Sequence, residues 1–125
     1  MEIYDYTHQS EYFNSKILQR YLGGMRLGVF DIETLGLYPK YNPMILAGIK
    51  PDGSCHVRQL FAETSKADEE HLLLAELENE LSNFDCILTY NGRYFDIPYV
   101  YERASKLGFD DYCIQPFNLD LLLFL

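Results

Sequence analysis

The run Gly28-Val29-Phe30-Asp31-Ile32-Glu33-Thr34-Leu35-Gly36-Leu37 restricts the fold more than any other stretch of this chain. Val29, Phe30 and Ile32 read as a buried strand, and Asp31 and Glu33 interrupt it at alternate positions, so both carboxylates point to one face. Two like charges held that close are costly unless a cation joins them. Gly36 then lets the chain turn away, which leaves the pair at an open strand end. The pattern predicts a core strand carrying a metal-binding Asp-x-Glu.

Composition bounds what surrounds that strand. A chain of 125 residues with 48% apolar content can bury the core of one compact domain. A net charge of -9 and a pI near 4.6 exclude a broad basic surface of the kind that grips nucleic acid by its phosphates. Eight of the 19 acidic residues lie between Glu63 and Asp85, however, so the negative charge is concentrated away from the Asp-x-Glu. Bound divalent cations would invert the local field at the site itself. Cys55, Cys86 and Cys113 show no CxxC spacing and read as ordinary buried, reduced thiols of a cytoplasmic protein. No signal peptide is evident, and no apolar run approaches the roughly 20 residues that span a bilayer. No membrane role is expected.

In chain order, residues 1–9 read as a loosely packed arm. Phe13, Ile17 and Tyr21, with Leu18 and Leu22, predict a short amphipathic helix over 10–22 that stops at Gly23-Gly24. Residues 1–26 thus lead into a domain over 27–125. A strand over 27–33, a loop with Gly36, Pro39 and Pro43, a strand over 44–50, the turn Pro51-Asp52-Gly53 and a strand over 55–61 form an antiparallel meander. Thr64 or Ser65 caps the next helix, with Ser65-x-x-Asp68 as a capping-box variant. Leu74, Leu77, Leu81 and Phe84 mark its buried stripe, and Glu69, Glu70, Glu76 and Glu80 its solvated face. His71 reads as a structural histidine.

Cys86-Ile87-Leu88 suits a buried parallel strand. In Asn91-Gly92-Arg93-Tyr94-Phe95-Asp96-Ile97-Pro98-Tyr99 that follows, Asp96 suits a helix cap and Pro98 a first turn, with Ile97, Val100, Ala104 and Leu107 buried until Gly108. A last strand starts near Cys113-Ile114 and runs from Asn118 into Leu121–Leu125. The apolar final pentapeptide is what a fold with a further element beyond it would show.

This order is that of a ribonuclease-H-like α/β fold: a mixed sheet of three antiparallel strands, then helix, strand, helix and strand, with a C-terminal helix missing. The residues carry a resemblance as well. Phe30-Asp31-Ile32-Glu33-Thr34-x-Gly36-Leu37 resembles the first motif of the DEDD superfamily of 3'-5' exonucleases, and Asn91-Gly92-x-x-Phe95-Asp96-x-Pro98-Tyr99 resembles the second. YprB-type exonucleases and the proofreading domains of family B DNA polymerases share this spelling. The resemblance covers 27–125 and implies two Mg2+ or Mn2+ ions, with metal and catalytic roles for Asp31, Glu33 and Asp96. Asp31 would bridge both ions, Glu33 would bind one and hold the terminal nucleotide, and Asp96 would complete the cluster.

The same resemblance makes Thr34 and Leu37 candidate contacts to the terminal nucleotide and Asn91 a residue that orients the site. Arg93 could meet a phosphate. The third motif, Tyr-x-x-x-Asp or His-x-x-x-x-Asp, occurs nowhere in the 125 residues, and Asp120 stands where the family has an acid that is not a metal ligand. The expected function is metal-dependent 3'-5' exonuclease action on the 3' end of single-stranded DNA or RNA. The alternative is a non-catalytic metal- or nucleic-acid-binding or interaction module without the third motif. The apolar C-terminal end could also support a homodimer.

Overall fold

The computed structural model describes residues 1–7 and 24–124. The helix expected over 10–22 lies outside the described residues. Strands β1 (Glu2–Thr7), β2 (Leu27–Thr34), β3 (Met44–Pro51), β4 (His56–Phe61), β5 (Cys86–Thr89) and β6 (Phe117–Asp120) form one sheet in the order β1-β4-β3-β2-β5-β6. β2, β3 and β4 are the antiparallel meander that the turn signals predict, and β5 and β6 continue the sheet in parallel to β2. The parallel strands need helical crossovers, supplied by α1 (Ala67–Leu81) before β5 and α2 (Asp96–Lys106) before β6.

Alternation along β2 divides its residues between two faces. Phe30 and Ile32 enter a core with Met44, Ile49, Leu60, Leu73, Leu77, Ile87 and Val100, whereas Val29, Asp31 and Glu33 are exposed. α1 packs on β3 and β4 and touches α2, so both helices press on the apolar side of the sheet. α2 ends where Gly108 takes a φ of 90°, with Gly108 N–H donating to Ser105 and Phe109 N–H to Ala104.

The structure differs from the sequence reading at several places. Residues 2–7 form β1 rather than a loose arm, because the outer flank of β4 offers unpaired backbone groups and Asp5 meets His56 at 3.0 Å. α1 starts at Ala67 with Lys66 at its cap, so Ser65 stands too early for the capping box, and Thr64 Oγ1 instead accepts the Lys66 N–H at 3.3 Å. β6 does not begin near Cys113: the Cys113 and Ile114 amides donate to Glu78 and to the Tyr101 hydroxyl, not to a ladder. Nor does it run on into the leucines. The Asp120 carboxylate accepts the Leu122 N–H at 3.3 Å and turns Leu121–Phe124 into a 3-10 helix.

The cysteines also differ. Cys86 is buried, and burial pushes its thiol up, whereas Cys55 and Cys113 are exposed; all three are free. No helix among the described residues is long and apolar enough to cross a membrane.

Candidate active site

β2 outruns its parallel neighbour. β5 pairs with it only from Leu27↔Cys86 to Val29↔Leu88, and Thr89 already faces Asp120 of β6. From Phe30 onward the β5 flank of β2 has no strand beside it, and a buried amide there needs another acceptor. The Ile32 N–H finds it in Asp96 Oδ2, 3.0 Å away. Asp96 is therefore not the cap of α2, a place taken by Phe95: it is the first helical residue and ties the helix start to β2.

That bond, to the amide next to Asp31 in the chain, seats the Asp96 carboxyl close enough for the Asp31 charge to act on it. Burial pushes the Asp96 carboxyl up from the usual 3.8 to about 6; the Ile32 amide opposes the shift, and the neighbouring Asp31 charge adds to it. Asp31 itself is exposed, on the same face of β2 as Glu33. Among the described residues no three His, Cys, Asp or Glu side chains are grouped so as to hold a metal ion. The donor chemistry at the pair nevertheless fits a hard divalent cation. Its donor atoms are carboxylate oxygens, and a cation would relieve the like-charge contact that adds to the upward shift of Asp96.

The Asn-Gly ahead of Asp96 is a backbone device. Asn91 sits at φ 63°, and its carbonyl accepts the Tyr94 and Phe95 amides. Gly92 presses on Thr89 so closely that an added Cβ would lie 2.4 Å from the Thr89 Cβ. Asp120, buried at the end of β6, fixes this turn by accepting the Asn91 N–H at 2.7 Å and the Arg93 N–H at 3.3 Å. The Arg93 side chain is exposed, its guanidinium 5.7 Å from the centre of the Tyr94 ring.

On the other side, Thr34 Oγ1 donates to the Gly36 carbonyl at 2.6 Å, and Gly36 faces Asn42, whose Oδ1 would stand 2.3 Å from a Cβ at that position. Leu37 is 72% exposed on the loop between β2 and β3. Asp31 and Asp96 are thus brought together, Glu33 shares the face of Asp31, Thr34 is engaged in shaping the loop, and Leu37 and Arg93 face outward.

Sequence reasoning missed Glu70, Tyr99 and Arg103. Glu70 was expected on the solvated face of α1 but is 1% exposed, because Arg103 of α2 neutralises it there with Nε 2.7 Å from Oε2. Tyr99 and Arg103 stand four residues apart on α2, a spacing that marks one helix face and could have paired them in advance.

Comparison with known proteins agrees with this architecture. A family model described as the RNase H superfamily matches residues 29–123. DNA polymerase 1 of Sulfolobus acidocaldarius is 48% identical over 42 residues, which are 34% of this chain and 5% of that polymerase. The chain therefore spans only a small part of the length of the curated relatives it matches. Among solved structures, the family B DNA polymerase from Pyrobaculum calidifontis superposes with a TM-score of 0.65 at 21% identity, over 78% of this chain and 15% of that one. The zinc-bound complex of Escherichia coli exonuclease I with single-stranded DNA superposes at 0.58 and 14% identity, over 78% and 28%.

Proposed function

Because this chain belongs to the RNase H superfamily, we propose that it is a metal-dependent 3'-5' exonuclease domain acting on the 3' end of single-stranded DNA or RNA. The observation that carries this reading is the meeting of Asp31 and Asp96 beyond the end of β5. Likeness to a family B polymerase and to exonuclease I solved with single-stranded DNA supports it. Asp31 and Asp96 hold Mg2+ or Mn2+, with Glu33 as the further carboxylate on the same face. Bound there, the ions supply an activated water and stabilise the leaving oxygen of the phosphodiester. The turn at Asn91-Gly92 orients Asp96, Leu37 and Thr34 border the terminal nucleotide, and Arg93 meets a phosphate.

The test is Mn2+ binding by calorimetry together with hydrolysis of 3'-labelled single-stranded DNA and RNA, on the unmodified chain, Asp31→Asn and Asp96→Asn. Loss of both binding and hydrolysis in the variants is expected. Equal Mn2+ binding by the unmodified chain and Asp31→Asn sinks the proposal. A second reading, a module that binds nucleic acid without turnover, is favoured by the absence of a three-acid group among the described residues. It predicts oligonucleotide binding that survives Asp31→Asn and no hydrolysis in any variant.

A further inference from the structure

Two buried charges take no part in the site described above. Glu70 of α1 is 1% exposed and Arg103 of α2 is 6% exposed. A buried ion pair is often no more stable than apolar residues of the same size, so stability alone explains it poorly. The pair's other side-chain hydrogen bonds lead to the 35–43 loop that joins β2 to β3 and to Met44, where that loop enters β3. Arg103 Nε and Nη2 donate to the two Glu70 oxygens, and Nη1 donates to the Pro39 carbonyl at 3.0 Å. Glu70 Oε2 also accepts the Met44 N–H at 2.8 Å, where the loop enters β3.

The same face of α2 continues the pattern. The single Tyr99 hydroxyl proton lies within reach of the Gly36 carbonyl at 3.1 Å and the Asn42 carbonyl at 2.7 Å, and Lys106 Nζ donates to the Lys40 carbonyl. Tyr99, Arg103 and Lys106 recur at helical spacing, so one side of α2 meets the carbonyls of Gly36, Pro39, Lys40 and Asn42 in turn. Leu37, Tyr38 and Tyr41 of the loop are 72%, 68% and 71% exposed, and the Tyr41 ring lies under Lys40 Nζ and Lys106 Nζ, 5.5 and 5.9 Å from its centre.

We propose that Glu70 and Arg103 are positioning residues, which with Tyr99 and Lys106 clamp the 35–43 loop from behind. Leu37, Tyr38 and Tyr41 then stand as a preformed apolar platform for a single-stranded nucleic acid beside Asp31 and Asp96. Holding the loop in its bound shape removes an ordering cost from binding, so the clamp acts on affinity and not on the chemical step. The inference rests on the nuclease reading for its substrate; the clamp itself does not.

The test uses Arg103→Lys, which keeps a cation beside Glu70 but loses the planar fork, and Lys106→Met, a surface change that leaves the buried pair intact. Steady-state kinetics on single-stranded oligothymidylate with Mn2+ are read beside amide hydrogen exchange. Arg103→Lys should raise KM about tenfold and leave kcat within about twofold, with faster exchange confined to 35–43. Lys106→Met should shift both readouts in the same direction by less. Unchanged KM and exchange, or a fall in kcat with faster exchange across β2 and β5, overturns the proposal. If the unmodified chain neither binds nor cuts the oligonucleotide, the nuclease reading fails. The exchange pattern then decides the clamp alone, loop-confined exchange supporting it and unaltered exchange overturning it.

Discussion

A carboxyl buried against a second carboxyl, as Asp96 is against Asp31, resists ionisation. Its folded value of about 6 lies above the ordinary 3.8, so its contribution to stability is full below about pH 4 and is lost as pH rises through 6. The melting temperature of the EDTA-treated protein should therefore fall between pH 4 and 7. Asp96→Asn should remove that step, and differential scanning calorimetry across the range checks it. Under the nuclease reading, Mn2+ should restore the lost stability above pH 6, because a bound cation favours the ionised form. Glu70 gives a second prediction of the same kind. Glu70→Ala leaves the Arg103 guanidinium buried without its partner and should cost about 3–5 kcal/mol in urea unfolding, whereas Glu70→Leu with Arg103→Met should cost far less. Strand alternation and motif spelling both pick out Asp31, and motif spelling alone picks out Asp96. The Ile32 amide that seats Asp96, and the cation that draws Glu70 inward, come from distant elements and leave no mark in a local pattern.

At the scale of elements, the turn between β5 and α2 depends on contacts that short-range patterning does not contain. Asp120→Ala would strip the Asn91 and Arg93 amides of their acceptor and should cost about 1–3 kcal/mol, with broadened Asn91 and Asp96 resonances in NMR spectra. Gly92→Ala would drive a methyl into Thr89 and should cost about 1–3 kcal/mol by overpacking, measured by thermal melts. The meander, both described helices and the parallel β5 were readable from alternation, helical spacing and turn residues. β1 was not, because its alternation is weak and what makes it a strand is the vacant edge of β4. The end of β6 was misread for a related reason: a run of leucines suits a strand by composition, but the Asp120 side chain captures the Leu122 amide first.

At the scale of the whole molecule, the charge distribution and the two edges of the sheet decide how the chain meets others. The acids of 63–85 sit mainly on the outer face of α1. Under the nuclease reading, a substrate path at the β2 end would depend on divalent ions rather than on a basic surface, and monovalent salt should weaken oligonucleotide binding less than it does for a protein with many phosphate contacts. β6 is the outer parallel strand, and Phe117 at its start is 61% exposed. If copies pair there, light scattering should give twice the chain mass of 14.6 kDa, and Phe117→Lys should return it to one; a single mass at every concentration removes the idea.

β5 spans only Cys86–Thr89, while β2 spans Leu27–Thr34, and that mismatch in length is a design rule in its own right. Hydrogen bonding between parallel strands closes like a zipper, and here the slider stops after three paired residues. Residues inserted after Thr89 with strand-forming side chains would let it run on, hand the Ile32 amide to a carbonyl, and expel Asp96 from its seat. The seating of Asp96 beside Asp31 is thus a property of where strand pairing stops, and a chain with both acids intact but a longer fifth strand would lose it.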